Sequence, residues 1–130
     1  MDEWTFKDYL DERGANPIAS WLRDRKQVPI KAKAKIDRIL TQLAGTKLWV
    51  RPWASNLDDH PGIVEIRILY MNTQYRILGF RGPGAKEFTL LTHAVEKGDK
   101  FEPASAPETA ETRMQSVKTE RNRSIEHSFS

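Results

Sequence analysis

The sequence lacks cysteine and any long apolar run. Without cysteine the chain forms neither disulfides nor thiolate metal sites, which is typical of a cytoplasmic protein. Without about 20 consecutive apolar residues no transmembrane helix is expected, and the acidic start Met1–Trp4 has no apolar core of a signal peptide. The histidines are scattered, at His60, His93 and His127, so neither a metal site nor a cofactor is predicted.

A large excess of charge of one sign is absent as well. The 130 residues include 21 Lys and Arg against 18 Asp and Glu, which gives a net charge of +3. This small net charge is only a weak indication that the protein binds nucleic acid. Whether it does depends on where particular charged side chains project. The length suits one folded domain, which we place at residues 1–117, and the polar residues 118–130 are predicted to be a disordered tail.

The first half of the chain has the pattern of one strand followed by two helices. Aromatic and polar residues alternate from Trp4 to Leu10, which predicts a strand. Asn16-Pro17 is typical of a helix start, and a second helix is predicted between Pro29 and Gly45. The apolar positions share one face of each helix, namely Ile18, Trp21 and Leu22 in the first and Ile36, Ile39, Leu40 and Leu43 in the second.

The second half predicts three antiparallel strands, at residues 63–70, 75–80 and 88–95, joined by short turns. The spacing of Ala110, Met114 and Val117 indicates a last short helix. The expected fold is therefore α+β. An N-terminal strand and two helices pack on one face of a mainly antiparallel sheet of about four strands, with a short C-terminal helix.

Strand alternation predicts which side chains share a face of this sheet. A two-residue turn at Asn72-Thr73 would pair Arg67 with Leu78, and the next loop would place Arg76 opposite Leu91. Arg67, Arg76 and His93 would then lie together on the face away from the two helices.

Three segments in this region carry a family resemblance: Gly62–Ile68, Tyr75–Leu78 and Leu91–Lys97. In order and spacing they resemble the strands of RelE/ParE-superfamily toxins, and most closely the phage-derived, HigB-related branch. The chain departs from that branch at Glu96, where many members have a lysine.

The resemblance implies the toxin of a type II toxin–antitoxin system, a cytoplasmic, ribosome-dependent mRNA endonuclease that uses no metal. In that reaction the ribose 2′-OH attacks the adjacent phosphate and the 5′-oxygen leaves. Arg67 and Arg76 suit the phosphate because guanidinium forks match its oxygens, and His93 titrates near neutrality and suits proton transfer. The supporting residues are Lys97 at the catalytic site and Lys31, Lys35, Arg38 and Lys100 for RNA or the ribosome. The implied partners are a helix-turn-helix antitoxin, the ribosome and mRNA.

Other interpretations remain open. Solvent-facing arginines often pair with a neighbour such as Glu65, and lysines on the outer face of a helix often only solubilise it. The chain could be a ParE-like toxin that inhibits gyrase by binding, or an inactive member that only binds its antitoxin. Trp49 and Trp53 could belong to the core or contact the antitoxin.

Overall fold

Local sequence signals determine where the helices begin and end. The computed structural model describes residues 3–129; Met1 and Asp2 of the acidic start and Ser130 of the tail lie outside them. Helix α1 spans Pro17–Arg23, and the Asn16 side chain accepts a hydrogen bond from the Ala19 N–H, as an N-cap does. Helix α2 spans Ile30–Ala44 and α3 spans Ala106–Thr119. The predicted helices are therefore all present.

The described residues form one open sheet of seven strands, in the order β2-β3-β4-β5-β1-β7, with β6 on β5. Four strands correspond to the prediction: β1 (Thr5–Tyr9), β3 (Val64–Tyr70), β4 (Thr73–Arg81) and β5 (Glu87–Lys97). Three further strands have three residues each: β2 (Ala54–Asn56), β6 (Lys100–Glu102) and β7 (Ser124–Glu126). The α+β class is confirmed, but the expected count of about four strands is wrong, because three residues are too few to show an alternating pattern.

Helices cover both faces of the sheet. Helices α1 and α2 pack on one face, over a core that includes Ile66, Ile77 and Phe88. Helix α3 packs on the other face, where Ala110, Met114 and Val117 meet Leu78, Phe80 and Leu91. The face that was expected to be open and charged is thus largely an apolar second core, since the C-terminal helix needs a surface on which to bury its own apolar side.

The β3–β4 hairpin turns one residue earlier than predicted. Tyr70 pairs with Thr73, so the turn is Met71-Asn72, and Met71 has a φ of 54°. Arg67 therefore lies directly opposite Arg76 instead of Leu78. The residue opposite Arg67 has moved by two positions along β4, and a shift of two keeps Arg67 and Arg76 on the same face of the sheet.

A bulge in β5 changes which side chains face α1. Leu78 pairs with Thr92 but Gly79 pairs with Leu90, so Leu91 has no partner across the ladder. A Cβ at Gly79 would lie 2.4 Å from the Thr89 carbonyl oxygen, which shows that this approach requires glycine. Because Leu91 is an extra residue in β5, the side chains that follow it point to the opposite face from the one that simple alternation with β4 would give.

Residues 118–129 are ordered in the structure, whereas a disordered tail was predicted for residues 118–130. A 3-10 turn at Arg121–Arg123 leads into β7, which pairs antiparallel with β1. The next residue, His127, is buried and its Nδ1 lies 2.8 Å from Asp8 Oδ1. Ladder hydrogen bonds and one buried side-chain hydrogen bond thus hold a segment in which the sequence shows no apolar period.

Candidate nucleic-acid interface

Arg67 and Arg76 share one buried carboxylate. The Arg67 guanidinium lies 2.8 Å from Glu65 Oε1, and Arg76 Nε lies 3.1 Å from Glu65 Oε2. Glu65 and Arg76 are each 5% exposed. Burial raises the pKa of Glu65, and the positive charges of Arg67 and Arg76 oppose that shift.

The donors of Arg76 are engaged within the protein. Its Nε donates to Glu96 Oε1 at 2.8 Å, Nη1 to the Tyr75 carbonyl oxygen at 3.0 Å and Nη2 to Gln74 Oε1 at 2.7 Å. A guanidinium bonded on all sides is held in place and has few donors left for a ligand. Arg76 is therefore foremost a structural residue, and it supports its neighbour Arg67.

A groove opens beside this network, and we call it the basic groove. Its volume is about 310 Å³. It is lined by Lys35, Ile39, Pro52, Trp53, Arg67, Ile68, Leu69, Gln74 and Arg76. The lining contains three cations and no carboxylate, and the Trp53 indole is partly exposed, at 39%. Cations beside an accessible aromatic ring are the combination that single-stranded nucleic acid binds.

Lys35 connects the predicted lysine stripe of α2 to the basic groove. Its Nζ donates to the Leu69 carbonyl oxygen at the end of β3, so α2 and the sheet meet there. Lys31 and Arg38 are exposed on the same side of the helix, one turn before and after Lys35. Lys35 and Arg67, which were predicted as parts of separate sites, thus line one groove, with Lys31 and Arg38 one helical turn to either side of Lys35.

His93 lies on the opposite face of the sheet, so its predicted convergence with Arg67 and Arg76 is wrong. Because of the bulge at Leu91, His93 pairs with Ile77 and not with a residue of the arginine face. Its ring stacks on Trp21 of α1, with centroids 4.4 Å apart and an angle of 4° between the planes. Burial, assisted by the charge of Arg113, lowers the pKa of His93 to about 4, so the ring is neutral near pH 7.

Lys97 and Lys100 flank the short turn between β5 and β6. They lie opposite each other in the ladder, both are exposed, and Lys97 Nζ lies 3.3 Å from Glu102 Oε1. Neither residue lines the basic groove. An exposed ion pair of this kind contributes little to stability, and the structure gives these lysines no contact with Arg67.

The basic groove can bind an anion, but it does not hold an assembled acid–base pair. Arg67, whose side chain is 25% exposed, and Lys35 can donate to phosphate oxygens. Among residues 3–129, no three His, Cys, Asp or Glu side chains group closely enough to hold a metal ion. Within the same range, no helix is both long and apolar enough to cross a membrane.

Sequence reasoning missed Trp53 as part of this groove, and it missed Glu96 and Gln74 as partners of Arg76. The segment before β2 has no periodicity from which the position of Trp53 could be predicted. Glu65 did carry a signal, since residues two apart in a strand share a face. Glu65, Arg67 and Arg76 were therefore predictable as one cluster.

The shifted pKa of His93 predicts a pH dependence of stability. The folded pKa of about 4 lies below the usual value near 6.5, so the unfolded chain binds the proton more tightly. This contribution to stability is fully present above pH 6.5 and is lost as the pH falls toward 4, to a total of roughly 2–3 kcal/mol. Urea denaturation of His93→Phe, which keeps an aromatic ring on Trp21, should show a flatter dependence between pH 7 and 4. Equal slopes for the two proteins would contradict the assignment.

Comparison with known proteins identifies no relative. No protein-family model matches the chain, and no curated protein or solved structure is significantly similar to it. What the basic groove binds is therefore inferred from its own residues.

Proposed function

We propose that the chain is a toxin of the RelE/ParE type, of the phage-derived branch, which binds RNA on the ribosome and stops translation. The observation that carries this proposal is the basic groove, where Lys35, Arg67 and the exposed Trp53 ring lie together with no carboxylate in the lining. Guanidinium and ammonium groups bind phosphate, and aromatic rings stack on bases whatever their sequence.

The order of elements supports the same proposal. One strand, two helices, a three-stranded antiparallel meander and a terminal helix follow one another along the chain, which is the order that the resemblance implies. Fold alone does not determine function, so the groove carries the functional part of the proposal.

If the protein cleaves RNA, Arg67 is the residue best placed to neutralise the scissile phosphate. It is partly exposed and fixed by Glu65, and a fixed donor stabilises developing charge better than a mobile one. The proton transfers need other groups, since His93 faces α1. We therefore propose RNA binding as the first activity and metal-independent cleavage as its consequence on the ribosome.

A second candidate is a member of the same fold that acts by binding alone, on gyrase or on an antitoxin. Two observations favour it: His93 lies on the other face, and the donors of Arg76 are engaged within the protein. Mapping of RNA 5′ ends after induction in bacteria separates the candidates. Codon-phased cuts in translated RNA support the nuclease, whereas growth arrest with intact mRNA supports binding.

In either case we propose that a small helix-turn-helix antitoxin covers this region. Apolar side chains are exposed along one edge of the fold, with Leu48 at 76%, Val50 at 57% and Leu69 at 55%. Exposed apolar residues beside a basic groove suit a partner segment that carries both apolar and acidic side chains.

Loss of Arg67 should weaken binding to ribosomes. We expect Arg67→Gln to reduce the affinity roughly tenfold, because one charge-assisted contact with a phosphate disappears. The dependence on salt should also become less steep. Co-sedimentation with ribosomes over a series of salt concentrations measures both effects.

Lys26→Gln serves as the matched control, because Lys26 is an exposed cation in the loop between α1 and α2. It should leave the affinity nearly unchanged. If both variants bind like the original protein, or lose affinity equally, the basic groove is not the contact surface.

A further inference from the structure

A second cavity lies next to the segment that leads into β2, and we call it the Arg81 cavity. Its volume is about 490 Å³. The residues of its wall that matter here are Trp49, Arg51, Ser55, Asn56, Val64 and Arg81. Like the basic groove, it is lined by cations, polar groups and an indole, with no carboxylate.

Aromatic rings hold the guanidinium of Arg81 in place. Its Cζ lies 5.8 Å from the centroid of the Trp4 ring and 5.6 Å from that of Trp49, within the range of cation–π attraction. None of the ion pairs found among residues 3–129 involves Arg81. Arg81 therefore offers an oriented set of donors with no carboxylate partner, in contrast to Arg76.

Arg51 adds a second cation to this cavity. Ser55 also lies along this wall, but it pairs with Glu65 in the β2–β3 ladder, so its side chain lies on the Glu65 face of the sheet and not on the face of Val64 and Arg81. Arg51 and Arg81 thus border one cavity with two guanidinium groups, a combination that suits phosphate oxygens.

We propose that the Arg81 cavity binds a backbone phosphate of single-stranded RNA and is a second contact for the strand held at the basic groove. The proposal rests on the function proposed above. An apolar hollow connects the two sites, since it shares Trp49 and Val50 with the Arg81 cavity and Ile39 and Trp53 with the basic groove. Along β3 the sites are separated by about four residues, Val64 to Ile68, or roughly 13 Å of strand. A single strand spans that distance with a few nucleotides.

The order of the surfaces favours an RNA strand over an acidic peptide. Cations lie at both ends, and the exposed side of Trp53 lies between them, which matches alternating phosphates and bases. A peptide with acidic side chains remains an outcome that the experiment distinguishes.

The test measures binding of a fluorescein-labelled ten-nucleotide uridine RNA to the whole chain by fluorescence anisotropy, over a series of NaCl concentrations. We expect Arg81→Gln to weaken binding roughly tenfold and to reduce the salt slope by about 0.7. Arg81→Lys keeps the charge, so it should retain the slope while losing part of the affinity. The matched control is Arg13→Gln, at an exposed arginine in the turn before α1.

Several outcomes would overturn this inference. One is an affinity of Arg81→Gln equal to that of the original protein, and another is an equal loss in Arg13→Gln. If Arg67→Gln still weakens binding in either case, the proposed function stands without a second site.

Competition experiments identify other ligands. Uridine monophosphate or inorganic phosphate that competes as well as the RNA would indicate a site for a free small anion. Equal competition by a ten-residue polyglutamate would indicate a protein partner. Absence of RNA binding by the original chain also overturns the inference, and growth arrest on induction then tests the proposed function separately.

Discussion

Replacing Arg76 with alanine is expected to lower the free energy of unfolding by about 3–5 kcal/mol, the usual effect of removing one partner of a buried ion pair. Arg76 and Glu65 are each 5% exposed, and Arg76 also bonds Glu96 and Gln74. The substitution leaves Glu65 with Arg67 alone, in a site where burial already disfavours its charge. Urea denaturation monitored by tryptophan fluorescence measures the loss.

The double variant Glu65→Gln with Arg76→Met provides the control, because it removes the buried charges together and keeps similar volumes. It should recover much of the lost stability, as uncharged replacements of buried ion pairs often do. If Arg76→Ala unfolds like the original protein and yet fails to bind RNA, Arg76 is a ligand contact and its structural role is wrong. The sequence alone predicted that outcome, since it placed Arg76 outside the core.

Replacing His127 with alanine is also expected to lower the free energy of unfolding by roughly 3 kcal/mol, because it leaves a buried carboxylate oxygen without its hydrogen-bond partner. The side chains of His127 and Asp8 are 1% and 2% exposed, and their Nδ1 and Oδ1 atoms lie 2.8 Å apart. Asn16 donates to the other oxygen of Asp8, so the substitution leaves one carboxylate oxygen without its partner. Thermal unfolding of the variant measures the loss.

Asn is the matched replacement at this position, because its side-chain amide can donate near the place of the histidine Nδ1. His127→Asn should therefore be more stable than His127→Ala. Limited proteolysis adds a local measure, since release of β7 would expose residues 124–129 to cleavage. Equal stability of all three proteins would show that the Asp8–His127 pair does not hold the tail.

Much of the fold could be predicted because its longer elements have a clear period. Helix α2 shows apolar residues every three or four positions, and in β3 the apolar Val64, Ile66 and Ile68 alternate with Glu65 and Arg67. The turn at Met71-Asn72 differed by one residue from the predicted turn, yet Arg67 and Arg76 kept the same face because their partners moved by two. Errors of even size in register preserve the face of a strand, and errors of odd size do not.

The site was less predictable because single residues decide it. The unpaired Leu91 inverts the rest of β5 and moves His93 to α1, and a bulge leaves little trace in an apolar run. Trp53 reaches the basic groove from an irregular segment. Asp8 and His127 pair across 119 positions of the sequence, a separation at which pattern along the chain carries no information.

The position of β1 in the sheet has a consequence for synthesis of the protein. This strand lies between β5 and β7, so Thr5 pairs with Glu87 and Lys7 with Glu126. At the usual elongation rate of about 5–20 residues per second, β1 emerges roughly 4–16 s before its first partner strand and several seconds more before the second. Contacts this distant in sequence also form slowly. A nascent chain therefore carries an unpaired strand with Phe6 and Tyr9 uncovered until β5 has emerged, and the sheet is complete only after residues 124–126 have been made.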